Sequence, residues 1–238
     1  VSADRRWHRR GRVFLQPEER ARLARLHDPG AMLARWRAGR ERLGQARFVV
    51  LDLETTGPRR DRDRIIALGA VAVERRALVH GDACEAVFRQ AVASSSSNIL
   101  VHRIGAERQL SGADPASALL SFLEYRGLAS GVAFRSEFDA LVLERELLRV
   151  LGLRQKVSLL DLAVLLPALY PGTGHDTLDA WTRHFRIEPL ARHDAIGDAY
   201  VTAQLLLVAL AAAECAGART VADLWAIERG QRWLGRRR

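Results

Sequence analysis

Phe48-Val49-Val50-Leu51-Asp52-Leu53-Glu54-Thr55-Thr56-Gly57 is the stretch on which the reading of this chain turns. Its first four residues are an apolar, β-rich run that ends in charged and turn residues, the mark of a buried strand. Side chains alternate along a strand, so Asp52 and Glu54, two apart, point to the same face. Two acids on one face repel each other unless an arginine or a metal ion neutralises them. Mg²⁺ characteristically takes one or two carboxylates, waters and substrate phosphates. Asp-x-Glu alone is a short pattern that an ordinary solvated strand end also produces. Thr55-Thr56-Gly57 sharpens it, because small hydroxyls followed by glycine let a ligand backbone approach closely.

Outward from this strand, the residues from Ile65 to Val73 and from about Ala86 to Ala93 read as further strands, hairpin-connected through Val79–Asp82. The tract from Ser94 to Asn98 is low in complexity and reads as a loop. Asp114-Pro115 opens a helix through Ala118, Leu119, Phe122 and Leu123. Gly131–Phe134 is another short strand, and the spacing of Leu141, Leu143, Leu147 and Leu148 makes Phe138–Val150 helical. Val157–Leu160 reads as a last strand entering a helix that stops before Pro171-Gly172. Three helices follow, over about Thr177–Phe185, Asp194–Ala213 and Val221–Leu234. Hairpin strands first and strand–helix units later give an α/β fold, a mixed central sheet with helices on both faces. No internal repeat is evident.

The chain has 238 residues, enough for one domain with an elaboration. With 48% hydrophobic and 27% charged residues, a large core can be buried and intrinsic disorder is excluded. The apolar run near Gln204–Ala213 is shorter than the roughly 20 residues a membrane span needs, so no membrane partner is expected. No apolar segment follows the early arginines, so no secretory signal is expected. Two cysteines, Cys84 and Cys215, cannot build a disulfide framework or a four-thiolate zinc site, and a reducing, cytoplasmic setting is expected.

The net charge of +9 is unevenly spread. Residues 1–47 hold 13 arginines against five acids, a net of +8. Residues 228–238 hold five arginines against Glu228, a net of +4, which leaves −3 for the body between them. Concentrated positive charge attracts polyanions, and nucleic acid is the partner this arrangement suggests. Residues 1–47 form a basic helical arm, opened by Pro17-Glu18-Glu19. Its apolar stripes, Leu23 and Leu26 and then Met32, Leu33, Trp36 and Leu43, are narrow and need a neighbour. Residues 48–213 then form the main domain, and 214–238 a C-terminal helix with a basic tail.

Two further acidic motifs follow the first. Phe138-Asp139 stands just after the Gly131–Phe134 strand, where Asp139 could serve a helix start or bind a metal. His193-Asp194-Ala195-Ile196-Gly197-Asp198 opens the long apolar helix. His193 and Asp198 are five apart, which is not one helical face, so they can work together only if His193 lies on the loop or first turn. Asp194 is then a natural cap, and Asp198, in front of a core helix, needs a partner.

With these three motifs in this order, the sequence resembles the DEDDh 3′–5′ exonucleases, which include the proofreading epsilon subunit of bacterial DNA polymerase III and ribonuclease T. The resemblance covers about Phe48 to Ala213, and Val101-His102-Arg103-Ile104 looks like the family's short His-containing segment. It departs at Phe134-Arg135, where the family usually has His-Asn. It implies a ribonuclease H-like fold and two ions, Mg²⁺ or Mn²⁺, held by Asp52, Glu54, Asp139 and Asp198. It also implies His193 as general base, and terminal-nucleotide contacts from Thr55, Thr56, Phe138 and His102, the last with a structural role as the alternative. The activity implied is removal of 5′-mononucleotides from the free 3′ end of DNA. An RNA-directed exonuclease and a catalytically silent binding relative stay open, as does work alone or within a polymerase or repair complex.

Overall fold

The computed structural model describes residues 15–26, 40–188 and 194–235. A five-stranded mixed sheet organises them, with strand order β3-β2-β1-β4-β5. The strands are β1 (Arg47–Thr55), β2 (Ile65–Glu74), β3 (Ala77–Val87), β4 (Ser130–Ala133) and β5 (Leu159–Asp161). The first three pair antiparallel, while β4 joins β1 and β5 joins β4 in parallel. The helices are α1 (Pro17–Leu26), α2 (Ser96–His102), α3 (Ala106–Leu110), α4 (Pro115–Arg126), α5 (Ser136–Leu151), α6 (Leu162–Leu169), α7 (Leu178–His184), α8 (Ala195–Cys215) and α9 (Val221–Gly235).

Alternation along β1 divides the core in two. Phe48 and Val50 face a cluster that includes Leu160, Leu166, Leu206, Leu210 and Leu224, contributed by β5, α6, α8 and α9. Val49, Leu51 and Leu53 face the opposite cluster, with Leu119, Phe122, Leu143 and Leu147 from α4 and α5. Asp52 and Glu54 continue the parity of Phe48 and Val50 and therefore lie on the α8 side. By length and composition α8 could cross a membrane, but 61% of its apolar window is buried inside the protein. It is the central core helix, packed on β1 and β2.

Several local expectations are corrected. The hairpin after β2 turns at Arg75-Arg76, not at Val79–Asp82, and β3 ends at Val87 instead of occupying 86–93. Both turn residues adopt positive φ, 51° and 63°. Such two-residue turns usually announce themselves by Asn-Gly or Asp-Gly, and a pair of arginines conceals the signal. The serine tract is not a loop throughout. Ser95 Oγ accepts from the Asn98 N–H at 3.3 Å and starts α2, as serine does at an N-cap. The short α3 has no counterpart in the sequence reading.

In the arm, α1 forms where expected and is docked on the body. Leu15, Leu23 and Leu26 pack against the α4–α5 cluster, and the Arg22 guanidinium donates to both carboxylate oxygens of Glu124 at 2.8 and 2.6 Å. Met32, Leu33 and Trp36 lie outside the described residues. Leu43 is buried, in a segment bridged to Thr220 through Arg42 rather than in a helix.

Candidate active site

Two elements bring three carboxylates together at one end of the sheet. Asp52 and Glu54 come from the end of β1, Asp198 from the first turn of α8, and ligand atoms of all three lie within 4.8 Å of one another. What lets α8 come so close is Gly69, the register partner of Asp52 on β2. A Cβ at Gly69 would lie 2.3 Å from the backbone carbon of Ala195 and 2.3 Å from the nitrogen of Ile196. Any side chain there would push the start of α8, and Asp198 with it, away from β1. Asp194 occupies the N-cap position of α8, but its side chain makes no capping hydrogen bond; its charge acts on Glu54 instead.

The electrostatics are those of crowded acids. Burial, then the charges of Asp198 and Asp194, push the Glu54 carboxyl up to about 7. Asp139 is placed in the first turn of α5 and is buried. Its carboxyl is held well above the usual range by burial first, then by Asp161 and Glu54. Carboxylates crowded together in this way form a hard, all-oxygen donor set that suits a divalent cation. His193 lies outside the described residues.

The expected substrate contacts have distinct placements. Thr55 Oγ1 donates to the Gly57 carbonyl at 2.7 Å, and Thr55 O accepts from Asn98 Nδ2 at 2.9 Å, which ties α2 to the end of β1. The Thr56 hydroxyl accepts from the Arg64 N–H at 3.0 Å and donates to Asp63 Oδ1 at 3.3 Å, fixing the loop behind it. Arg145 closes that loop by donating to the Arg60 and Asp63 carbonyls. Phe138 is half-buried against the α4–α5 cluster. His102 is buried, with both ring nitrogens engaged: Nδ1 accepts from the Ile104 N–H at 3.0 Å and Nε2 lies 3.2 Å from Ser94 Oγ. Burial lowers its pKa, in keeping with the accepting role of Nδ1, and the ring braces the segment between α2 and α3.

Arg135 stands where the family usually has asparagine, and its side chain points away from the carboxylate cluster to a main-chain carbonyl. Its guanidinium donates to the Asp176 carbonyl at 2.9 Å, while Glu137 pairs with Arg60. Its backbone is what matters, with φ 58°, a left-handed turn between β4 and α5. Asparagine tolerates this conformation better than arginine does. Here Asp161 holds it, accepting from the Arg135 N–H at 2.9 Å and the Ser136 N–H at 3.1 Å. Asp161, Gly69 and Asn98 were missed by the sequence reading. Asp161 follows the apolar run that reads as the last strand and precedes a helix, a visible capping signal; the other two carry no local signal.

Comparison with known proteins agrees with this geometry. Residues 49–206 match the RNase T exonuclease family model, and the chain belongs to that family of DEDDh-type 3′–5′ exonucleases. Within it, the relatives are PolC-type DNA polymerase III proteins. The one from Bacillus subtilis is 30% identical over 77% of this chain and 13% of its own length. The one from Caldanaerobacter subterraneus is 28% identical over 76% and 13%. The chain thus spans a small part of these relatives. Among solved structures, E. coli exonuclease I in complex with an oligonucleotide shares the fold, with a TM-score of 0.59 at 18% identity over 69% of this chain and 41% of that one. A zinc-bound exonuclease I–ssDNA complex gives 0.59 at 18%, covering 68% and 40%.

Proposed function

We propose that this exonuclease is metal-dependent and removes 5′-mononucleotides from the 3′ end of single-stranded DNA, in proofreading or repair. The observation that carries this reading is the convergence of Asp52, Glu54 and Asp198 within 4.8 Å, with Asp139 close enough to feel the Glu54 charge. Asp52, Glu54 and Asp198 would hold one ion, and Asp52 and Asp139 a second. Bound there, divalent ions neutralise phosphoryl oxygens, activate water and stabilise the leaving oxygen in an in-line displacement. His193, which precedes α8 in the sequence, takes the proton from the attacking water; an imidazole near its ordinary pKa of about 6.5 is matched to that task. The half-exposed Thr55 and Phe138 meet the terminal nucleotide, and the exposed Arg59, Arg60 and Arg62 on the loop after Thr56, which face Asp61, Glu137 and Asp63, can exchange those surface partners for its backbone phosphates.

DNA as substrate is supported by the PolC-type relatives and the ssDNA-bound structural neighbour. The test is a rate comparison on matched single-stranded DNA and RNA oligonucleotides, with and without Mg²⁺ or Mn²⁺, for the wild type, Asp52→Ala and Asp198→Ala. Metal-dependent release of mononucleotides, faster from DNA and abolished in both folded variants, is expected. Faster RNA cleavage would make the enzyme an exoribonuclease. Full activity in either variant, or without metal, would refute the mechanism.

A further inference from the structure

The C-terminal helix α9 lies beyond the residues that match the exonuclease family, yet it reaches into the turn that carries Asp139. The Asp161 carboxylate receives four donors. Oδ1 accepts from the Arg135 and Ala163 N–H groups, both at 2.9 Å. Oδ2 accepts from the Ser136 N–H at 3.1 Å and from an Arg232 guanidinium nitrogen of α9 at 3.1 Å. Arg232 is itself gripped from one helical turn earlier, where Glu228 accepts from Nε at 2.9 Å and from the same terminal nitrogen at 2.8 Å.

Both acids are almost fully buried, with side-chain exposures of 5% for Asp161 and 4% for Glu228. A buried carboxylate without a countercharge is costly. Arg232 supplies that charge to both and, as a planar fork, fixes their relative positions. Asp161 in turn holds the left-handed Arg135 and the first N–H of α5, and Asp139 follows Ser136 by three residues in the same turn of helix.

We propose that Arg232 is a positioning residue for Asp139: α9 latches the Asp161-held turn and thereby sets where the Asp139 carboxylate points. The inference rests on the nuclease reading of this site. Without the latch, Asp161 is left as an uncompensated buried anion and relaxes away from the Arg135 and Ser136 amides. The first turn of α5 then loosens, Asp139 and Phe138 with it, while Thr55 keeps its tie to Asn98 of α2.

The test uses the full chain with Arg232→Met, which keeps the aliphatic stem, and Arg232→Lys, which keeps the charge but not the fork. Turnover and KM on a single-stranded oligonucleotide are measured well below each melting temperature. Amide hydrogen exchange at Arg135 and Ser136 is measured without metal. Misplacing a catalytic group by an ångström costs about 100-fold, so Arg232→Met is expected to lose about 10- to 100-fold in kcat, a larger change than any rise in KM from the neighbouring Phe138. Its two amides should exchange at least about tenfold faster, because local opening of that turn becomes easier. Arg232→Lys should fall between Met and wild type in both readouts, and it carries the test alone if the Met variant does not fold. Wild-type kcat, or lowered kcat with unchanged exchange at the two amides, would overturn the proposal. An inactive wild type would reject the nuclease reading instead, and the exchange comparison would still judge the latch.

Discussion

Gly69 and Ala195 stand so close that no side chain fits between them: a Cβ on Gly69 would lie 2.3 Å from the Ala195 carbonyl carbon. The contact ties the strand beside Asp52 to the helix that delivers Asp198, and makes the carboxylate geometry depend on a missing methyl group. Gly69→Ala is expected to force α8 outward. Overpacking of this kind typically costs about 1–3 kcal/mol, seen as a lower melting temperature, and kcat should fall with it because Asp198 moves from Asp52 and Glu54. Gly230→Ala, in the interior of α9 with nothing within 4 Å of its Cβ, is the contrast. It should stabilise by about 0.5–1 kcal/mol and leave kcat unchanged. Equal melting temperatures for wild type and Gly69→Ala would show that α8 is not held by this contact.

The elevated Glu54 pKa fixes a sign for pH dependence. Between its ordinary value of 4.5 and about 7, folded Glu54 keeps a proton that the unfolded chain has released. Its contribution to stability is therefore present below 4.5 and lost as pH rises through 7. At about 1.4 kcal/mol per unit, the effect is a few kcal/mol at most. Metal-free wild type should lose melting temperature relative to Glu54→Gln from pH 5 to 7.5. Mg²⁺ must displace the same proton, so below pH 7 its affinity should weaken by up to about tenfold per unit. Parallel melting curves for the two proteins across this range would contradict the assignment.

Most of the fold was legible in the sequence because alternation is strong where strands are buried. β1, β2 and the long α8 stand where their apolar patterns put them, and so does the carboxylate set, because Asp52 and Glu54 inherit their face from Phe48 and Val50. What was hidden depends on backbone conformation or distant partners. Arg75-Arg76 turns a hairpin without a turn signal, Ser95 converts a low-complexity tract into a capped helix, and Gly69 matters only against a helix more than a hundred residues away. At Arg135 the sequence shows only a departure from the family's His-Asn, whereas its part is played by φ and by Asp161.

His193→Ala separates catalysis from metal binding. Removing a general base costs typically about 10²–10⁴-fold, while the four proposed ligands, Asp52, Glu54, Asp139 and Asp198, are left intact. Turnover against pH should collapse in the variant, and its Mn²⁺ binding isotherm should stay within about threefold of the wild type, well under the 10- to 100-fold expected where a ligand's support is lost. Wild-type turnover near neutral pH would show that another group receives the proton.

Two sets of arginines within the arm have different expected effects. Arg22 is committed to Glu124, and Leu15, Leu23 and Leu26 are packed on the body, so α1 acts as a brace. Arg5, Arg6, Arg9, Arg10 and Arg12 precede it in the sequence and are the arm's candidates for phosphate contact. Each phosphate neutralised on a single strand adds roughly 0.7 to the slope of log affinity against log salt, so deleting residues 1–14 should flatten that slope by up to about 3.5. The deletion should raise KM, spare kcat at saturating substrate and leave the melting temperature within a degree or so, since it removes none of the α1 contacts. Arg22→Ala should do the reverse. An exposed ion pair is worth about 0.2–1 kcal/mol, so the melting temperature drops slightly while the salt slope stays as it was. A deletion of 1–14 that preserves the full salt dependence would transfer polyanion binding to the rest of the chain, where the exposed Arg59, Arg60 and Arg62 on the loop after Thr56 become the groups to remove next.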